Sequence, residues 1–336
     1  MNIRDFARLC GCSYGTVTNV FLRPGIVKES TRRKVLELAE KYRYRPNLVA
    51  ASVKGKTKMI GVLIYGGNSY FINITEGIQN TLLEHGYCPL SLVLDWRNRL
   101  QQLRFLVDRR VDGIIMVNPK IGLNAEEREE IEHIRIPVVY MDMEPEGMHD
   151  WINTDDEAGG KMIAEHLYKL GHRRVGLYAW IYRLSAKRFT AFRETAAKLR
   201  MEHVFCSPEN IEEVIRSADR PSAFFCFSDD EAAELIARLS EKGFSVPEDF
   251  SVAGYADLDY AGKITPSLTT IRQDGKLAGK CAAEIMMKRL NEPDGEIMRE
   301  LVPVQLIRRK STAENKRRIR DSIPTINKNT GDKKRC

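Results

Sequence analysis

Few of the signatures of secreted, membrane or metal-dependent proteins occur in this sequence of 336 residues. Its seven cysteines are scattered and odd in number, and Cys10-x-Cys12 has no second Cys or His pair at zinc-ligand spacing. The stretch Met1–Asp5 is polar and charged, unlike the start of a signal peptide. The longest apolar runs, such as Met59–Tyr65, fall far short of the ~20 residues that span a bilayer. We therefore expect a reduced, cytoplasmic protein without a membrane segment, metal or other cofactor.

Catalytic signatures are also missing from the sequence. Gly66-Gly67-Asn68 follows an apolar run but lacks the Lys-Ser/Thr ending of a phosphate-binding loop. There is no nucleophile elbow, no dinucleotide fingerprint and no metalloprotease His pair, and the six histidines show no ligand spacing. These absences argue against an enzyme.

Charge is distributed unevenly, although the formal net charge of +7 is modest. Residues 1–58 contain 13 Lys/Arg and 4 Asp/Glu, a net charge of +9. Residues 59–314 contain 32 and 40, a net charge of −8, and residues 315–336 contain 8 and 2, a net charge of +6. Two basic ends therefore flank an acidic body, a pattern typical of polyanion-binding segments attached to a soluble domain.

The first 45 residues show the periodicity of three short helices. The apolar positions from Ile3 to Cys10 fall on one helical face, and Gly11 interrupts that pattern. Ser13 is positioned as the N-cap of a second helix, and a third is predicted from Ser30 to about Tyr42. Basic helices in this order within 45 residues predict a helix-turn-helix, whose second helix fits the major groove of DNA.

From residue 59 onward, short apolar runs alternate with helical stretches, which predicts βαβ units and parallel sheets. The predicted strands are 59–65, 111–117, 136–141, 174–178, 223–227, 250–255 and 268–272. The predicted helices include 72–85, 155–170, 188–199, 229–242 and 274–290. This pattern fits one barrel or two doubly wound halves, and the restart at Gly171–Arg174 midway along the body favours two halves.

Six segments of the chain form an ordered set of motifs. They are IRDFARLCGCSYGTVTNV (3–20), STRRKV (30–35), YRPNLVA (44–50), HLYKLGHRRV (166–175), VPEDFSVAGY (246–255) and TPSLTTIRQ (265–273). This set closely resembles the LacI/GalR (lactose-repressor) family of bacterial transcription regulators and extends over roughly residues 2–310. An ordered set of this kind is far more specific than any single motif.

The resemblance implies a complete domain organisation. An all-α helix-turn-helix headpiece is expected at 1–45, followed by a hinge helix and linker at 46–58. An α/β body at 59–310 is expected to have two doubly wound parallel-sheet lobes, like the periplasmic-binding-protein type I fold. Its lobe boundary would lie near 150–156, with the chain crossing again near 273 and 302. Residues 311–336 are expected to be a basic, disordered tail.

The resemblance places the base-reading positions of the headpiece on Tyr14, Gly15 and Asn19. Asn19 can pair with adenine and Tyr14 can offer a hydroxyl and a ring to a base edge, whereas Gly15 has no side chain with which to read a base. The expected phosphate contacts are Ser13, Thr16, Thr18, Thr31 and Arg32. The alternative is that these are ordinary capping and surface groups.

The hinge and minor-groove positions implied by the resemblance are Asn47, Ala50 and Val53. In the family, this segment forms a helix on specific DNA, and two such helices open the minor groove with an apolar wedge. Val53 stands at the wedge position, where Leu is usual. The alternative is a linker residue that packs on the body.

Within the body, the resemblance implies a ligand cleft between the two lobes. The expected effector-binding residues are Phe71, Asp142, Arg188, Ser228, Asp257 and Gln273. Arg188 matches the arginine that holds the effector, although a structural salt bridge is the alternative. Ser228 stands where Asn is usual and Ala256 where Asp is common, so two groups that bond sugar hydroxyls are lost. We therefore expect an unusual effector or little response to small molecules.

Taken together, these features predict a dimeric repressor of a metabolic, carbohydrate-related operon, associated with the bacterial nucleoid. Its partners would be a near-palindromic double-stranded DNA operator, a second copy of the chain and a small molecule such as a sugar or sugar derivative. A ligand-independent regulator and a non-specific DNA-binding protein remain as alternatives. Because the C-terminal region lacks a leucine heptad, no tail-mediated tetramer is predicted.

Overall fold

The computed structural model describes residues 1–22, 24–44, 57–95, 97–117, 124–134, 136–143, 145, 147–183 and 186–315. The predicted hinge residues Asn47, Ala50 and Val53 lie outside the described residues, as does the chain after residue 315. Within the described ranges, no helix is long and apolar enough to cross a membrane.

Three helices form the N-terminal domain: α1 (Ile3–Cys10), α2 (Tyr14–Leu22) and α3 (Glu29–Lys41). Helix α1 ends at Gly11, whose φ of 65° lies in the left-handed region that glycine adopts without strain. The apolar faces of the helices meet in one small core, made of Phe6, Ala7, Cys10, Val17, Val20, Val35, Ala39 and Tyr44. The ring of Phe6 stacks on that of Tyr44 with 3.9 Å between centroids, which holds the end of α3 against α1.

The first lobe contains a six-stranded parallel sheet between helices. Its strands are β1 (Met59–Ile64), β2 (Cys88–Val93), β3 (Gly113–Val117), β4 (Val138–Met141), β5 (Asp150–Thr154) and β11 (Arg299–Val302). Its helices are α4 (Ser69–Glu84), α5 (Arg99–Asp108), α6 (Ala125–His133) and α11 (Gly275–Asn291). The strand order is β11-β5-β4-β3-β1-β2. All five residues of β3 are buried, as expected for a strand covered on both faces.

The second lobe repeats this architecture. Its strands are β6 (Arg174–Tyr178), β7 (Glu202–Cys206), β8 (Ala223–Cys226), β9 (Ser251–Ala256), β10 (Thr269–Gln273) and β12 (Val304–Ile307). Its helices are α7 (Asp156–Lys169), α8 (Lys187–Lys198), α9 (Ile211–Arg216) and α10 (Asp229–Glu241). The strand order is β12-β10-β9-β8-β6-β7, and β12 runs antiparallel to β10. The prediction of two doubly wound lobes is confirmed.

The chain passes between the lobes at three places, after β5, after β10 and between β11 and β12. Two of these crossings are joined by a hydrogen bond of 2.6 Å, which Gln273 Nε2, at the end of β10, donates to Thr154 Oγ1, at the end of β5. The lobes also meet where Asn68, which follows β1, donates from Nδ2 to the Asp230 carboxylate at 3.2 Å. The carboxyl edges of the two sheets therefore face each other, and this is the edge where parallel sheets bind ligands.

The amino edges of the sheets consequently lie at opposite poles of the body. At the pole of the first lobe, the Asp112 carboxylate accepts bonds from the backbone N–H groups of Thr57 and Lys58, at 2.8 and 2.9 Å. At the pole of the second lobe, His172 bonds the hydroxyl of Ser222, and the Asn315 N–H donates to a carbonyl at the end of α7. The headpiece linker and the C-terminal segment thus join the body at opposite ends.

A predicted tail that begins at residue 311 is wrong for residues 311–315. Ser311 is fully buried, its hydroxyl donates to the Val252 carbonyl at 2.6 Å, and it accepts from the Thr269 N–H at 2.8 Å. The segment is ordered because its polar groups are satisfied by the edge of the second sheet, which composition alone does not reveal.

Candidate DNA-binding and effector sites

Helix α2 of the headpiece turns one face to its core and the other to solvent. Val17 and Val20 are buried, whereas Tyr14 is 49% exposed, Gly15 is exposed and Asn19 is half-buried. Because a helix advances 100° per residue, the three predicted base-reading positions lie together on the side away from the core. The structure therefore places Tyr14, Gly15 and Asn19 on one accessible surface.

Local hydrogen bonds already engage several of the predicted phosphate-binding hydroxyls. Ser13 Oγ accepts from the Thr16 N–H at 3.0 Å and lies 2.9 Å from the Thr16 hydroxyl, while Thr18 donates to the Tyr14 carbonyl at 2.8 Å. Ser13 is thus the N-cap of α2, as its position predicts. Arg32 makes only an exposed ion pair of 3.5 Å, with Glu29, of a kind that contributes little and is easily exchanged for a phosphate. Thr31 is half-buried.

Arg188, in the first turn of α8, lies at the centre of a polar cluster in the interlobe cleft. Its Nε and Nη2 donate to the Asp156 carboxylate at 3.0–3.1 Å, and its Nη1 donates to the Phe227 carbonyl at 2.8 Å. The guanidinium carbon lies 3.8 Å from the ring centroid of Tyr255 and 4.6 Å from that of Phe227. The salt bridge considered as an alternative for Arg188 is therefore present.

Asp156 is the cleft residue that binds Arg188, and sequence analysis missed it. The preceding Asp155 caps α7 by accepting from the Ala158 N–H at 2.9 Å, which leaves Asp156 free to reach across to Arg188. Two adjacent aspartates at a helix start were the available signal, since one cap needs only one of them. Their partner is 32 positions away, a separation at which local patterns carry no information.

Gly160 sets the distance between α7 and α8 and so positions Arg188. A Cβ at Gly160 would lie 2.0 Å from the Arg188 carbonyl oxygen and 3.1 Å from the backbone nitrogen of Phe192. Only glycine permits this approach, because backbone atoms in a packed helix cannot rotate away.

Gly160→Ala is expected to lower the free energy of unfolding by about 1–3 kcal/mol, because the added methyl must push two packed helices apart. Urea denaturation followed by circular dichroism measures the change. Gly25→Ala is the matched control, since no atom lies within 4 Å of a Cβ built there. Equal stability of the two variants would show that α7 and α8 tolerate separation.

The first lobe contributes Asp142 and aromatic rings to the same cleft. Asp142 follows β4 with a φ of 54°, and the Tyr70 hydroxyl donates to its Oδ1 at 3.1 Å. Burial, and then the nearby Asp156 charge, raise the pKa of Asp142 to about 7. Phe71 is buried, with its ring edge-on to those of Tyr65 and Tyr70. Of the predicted effector residues, the structure brings Asp142 and Arg188 together, and Phe71 lies against Tyr70, which holds Asp142.

The other three predicted effector residues have structural partners. Ser228 caps α10, with its Oγ accepting from the Glu231 N–H at 3.3 Å, and Gln273 bonds Thr154 at the lobe crossing. Asp257 forms ion pairs with two arginines. Its two carboxylate oxygens bind Arg272 Nε at 2.7 Å and Arg309 Nη2 at 2.6 Å, because a φ of 56° turns it toward these side chains.

The chain is similar to known proteins in both its headpiece and its lobes. The model of bacterial regulatory proteins of the lacI family matches residues 2–47, and that of a periplasmic binding protein-like domain matches residues 164–312. The HTH-type transcriptional repressor PurR of Vibrio atlanticus is 32% identical over 316 residues, covering 88% of this chain and 93% of that protein. The PurR repressor of Photobacterium profundum is 31% identical over 336 residues, covering 93% and 98%.

Solved structures show the same fold. The lac repressor dimer bound to operator and the anti-inducer ONPF superposes with a TM-score of 0.78 at 23% identity, covering 93% of this chain and 99% of that one. A LacI family transcriptional regulator from Enterococcus faecium with bound ribose has a TM-score of 0.67 at 26% identity, covering 76% and 99%. The predicted headpiece and two-lobed body are thereby confirmed.

Proposed function

Because the chain belongs to the lacI family of bacterial regulatory proteins and is a DNA-binding transcriptional repressor, we propose that two copies bind a near-palindromic operator together and that a small molecule in the interlobe cleft sets their affinity for it. The observation that carries this proposal is the match to a repressor over 93% of its length, which includes headpiece and lobes alike. A two-fold arrangement follows from helix-turn-helix geometry, in which each headpiece reads one half-site.

On the operator, the N-terminal part of α2 enters the major groove. Asn19 reads adenine and Tyr14 presents its hydroxyl and ring, while Arg32 and the hydroxyls around Ser13 hold phosphates and fix the register. Between the headpiece and the body, Asn47, Ala50 and Val53 form the hinge that meets the minor groove. The net charge of +9 on residues 1–58 makes this binding salt-dependent.

In the body, an effector that contacts both lobes favours one spacing between them. Phe71 and Asp142 contact the effector from the first lobe and Arg188 contacts it from the second. The binding energy of the effector is therefore coupled to lobe closure, and lobe closure in turn changes the hinge. Solved neighbours carry ribose in one case and cellobiose in another. We infer a sugar or sugar derivative and a metabolic, carbohydrate-related operon.

A ligand-independent regulator is the second candidate, because Asp156 and the Phe227 carbonyl already engage Arg188. The two candidates differ in one measurement. If metabolites of the bacterium leave the affinity for a mapped operator unchanged, the ligand-independent regulator is correct.

Asn19→Ala is expected to cost about 1–3 kcal/mol in binding to the true operator, because a bidentate contact to one base is lost. A genome-wide map of bound sites supplies the operator, and fluorescence anisotropy measures the affinity. Arg32→Ala is the control: loss of a phosphate contact should weaken all sequences alike and reduce the salt slope by about 1. An equal loss for Asn19→Ala on random DNA would contradict the base-reading role.

A further inference from the structure

The charges around Arg188 do not balance. Among the described residues, three carboxylates interact electrostatically with its guanidinium: Asp142, Asp156 and Glu231. Two of the three are paired, because Asp156 binds Arg188 and Glu231 Oε1 accepts from Arg183 Nη1 at 2.9 Å. The third, Asp142, faces Arg188 but accepts its hydrogen bond from the neutral hydroxyl of Tyr70. Asp142 therefore shares the positive charge of Arg188 with Asp156, which binds the guanidinium directly.

A buried carboxylate oxygen beside Arg188 has no hydrogen-bond partner in the described structure. It is Oε2 of Glu231, a residue that is 5% exposed. The hydroxyl of Tyr255 is buried as well and interacts with the Asp156 carboxylate, while its ring lies against the Arg188 guanidinium. Since buried polar groups nearly always have a partner, Glu231 Oε2 in its ionised form indicates a donor that binds beside it.

Aromatic rings on both sides of the cleft suit a cation. The Arg188 guanidinium already lies between the rings of Tyr255 and Phe227, so this part of the cleft stabilises planar positive charge. Phe71 offers a further ring from the first lobe, packed against Tyr70, whose hydroxyl binds Asp142. A metal ion is a poor candidate, because nowhere in the described ranges do three His, Cys, Asp or Glu side chains converge on one point.

We propose that the effector carries a protonated nitrogen, an ammonium or amidinium group, which pairs with Asp142 and donates to the acceptors beside Arg188 while the rest of the molecule packs on Phe71. This inference rests on the proposed function, in which the cleft binds the effector. An amino sugar has the required chemistry. A neutral sugar leaves Asp142 sharing Arg188 with Asp156, and a sugar acid adds a fourth carboxylate to the cluster.

The pH dependence of binding follows from the groups that face Asp142, which are Tyr70, Asp156 and Arg188. Because the pKa of Asp142 is raised to about 7, its carboxyl group is ionised above that pH and neutral below it. A cationic effector binds the ionised form, so its affinity is highest between the pKa of Asp142 and the pKa of the effector's own nitrogen. Below pH 7 it falls by about tenfold per pH unit or more, because Glu231, whose pKa burial raises to about 7, is neutralised over the same range.

Calorimetry on the full chain at pH 8 tests the proposal with two matched sets of probes. One set is glucosamine, glucose and glucuronate, and the other is 1,4-diaminobutane, 1,4-butanediol and succinate. In at least one set, the amine should bind at least about tenfold more tightly than its neutral and anionic partners. Asp142→Asn, which keeps the bond to Tyr70, should abolish that preference, whereas Asp108→Asn, at an exposed position of α5, should preserve it.

The outcomes separate this proposal from the proposed function. If a neutral or anionic probe binds more tightly than its amine and shifts operator affinity, the cationic effector is wrong and the effector-controlled repressor stands. If neither amine binds with a Kd below about 1 mM, or if Asp142→Asn binds the amine as the unaltered chain does, the cationic effector is also wrong. If no metabolite changes the affinity for the operator, the proposed control of the repressor by an effector is wrong.

Discussion

Arg289→Met is expected to lower the free energy of unfolding of the first lobe by about 3–5 kcal/mol, the cost of leaving a buried carboxylate without its cation. Arg289 and Asp150 are both buried, and Nε and Nη2 each donate to the carboxylate at 2.8 Å. The guanidinium also donates to the carbonyls of Pro293, Gly295 and Glu296, at 2.7–3.0 Å. One side chain therefore ties α11, β5 and the turn that leads to β11.

Chemical denaturation of the variant measures this effect. Arg289→Lys should lose nearly as much, because an ammonium cannot reproduce the planar fork that reaches five acceptors. Arg104→Met is the matched control in the same lobe. Arg104 pairs with Glu130 at 2.9 Å while 53% exposed, and its removal should change stability by less than about 1 kcal/mol. Similar losses of unfolding free energy for Arg289→Met and Arg104→Met would mean that the buried pair of Arg289 and Asp150 does not stabilise the lobe.

Arg188→Met is the second large effect, with an expected loss of about 3 kcal/mol from the second lobe. The substitution leaves Asp156, of which 21% is exposed, facing the cleft without its cation. It also removes a bond to the Phe227 carbonyl and the contacts with two rings. Because water still reaches Asp156, the expected loss of unfolding free energy lies at the lower end of the range for broken buried ion pairs.

The double variant Arg188→Met/Asp156→Leu distinguishes a broken ion pair from a general packing defect. Replacing both charges by apolar groups should recover most of the lost stability, since the unpaired carboxylate is the main cost. Arg216→Met serves as the control, because its pair with Glu212 is exposed on both sides. Failure of the double variant to recover would show that the ring contacts, and not the charge pair, stabilise the site.

Sequence patterns predicted the central elements of the fold best. The strands that became β1, β3, β6, β8 and β9 are apolar along almost their whole length because helices cover both faces. The strands β2, β5, β7, β11 and β12 were not predicted. Among the edge strands, residues of β7 are mostly exposed and β2 carries Pro89, so neither shows an uninterrupted apolar run.

In the candidate sites too, features set by neighbouring residues could be predicted from the sequence, whereas contacts between residues far apart in the chain could not. The surface of α2 follows from helical periodicity within nine residues, and Tyr14, Gly15 and Asn19 lie on the side of the helix away from its core. The cleft depends on pairs far apart in the chain, such as Arg188 with Asp156 and Tyr70 with Asp142. Family resemblance located Arg188 and Asp142, but neither resemblance nor pattern revealed that Asp156 already holds the arginine.

The opposite poles of the body have a practical consequence for handling the protein. The chain enters at the amino edge of the first sheet near Thr57, and residue 315 leaves at the amino edge of the second. Each sheet has strands of four to six residues, so the two edges are separated by at least about 30 Å. A fluorophore or surface linkage attached at residue 315 would therefore be on the far side of the body from the linker to the headpiece. Molecules tethered at this residue would present the opposite pole of the body to solution.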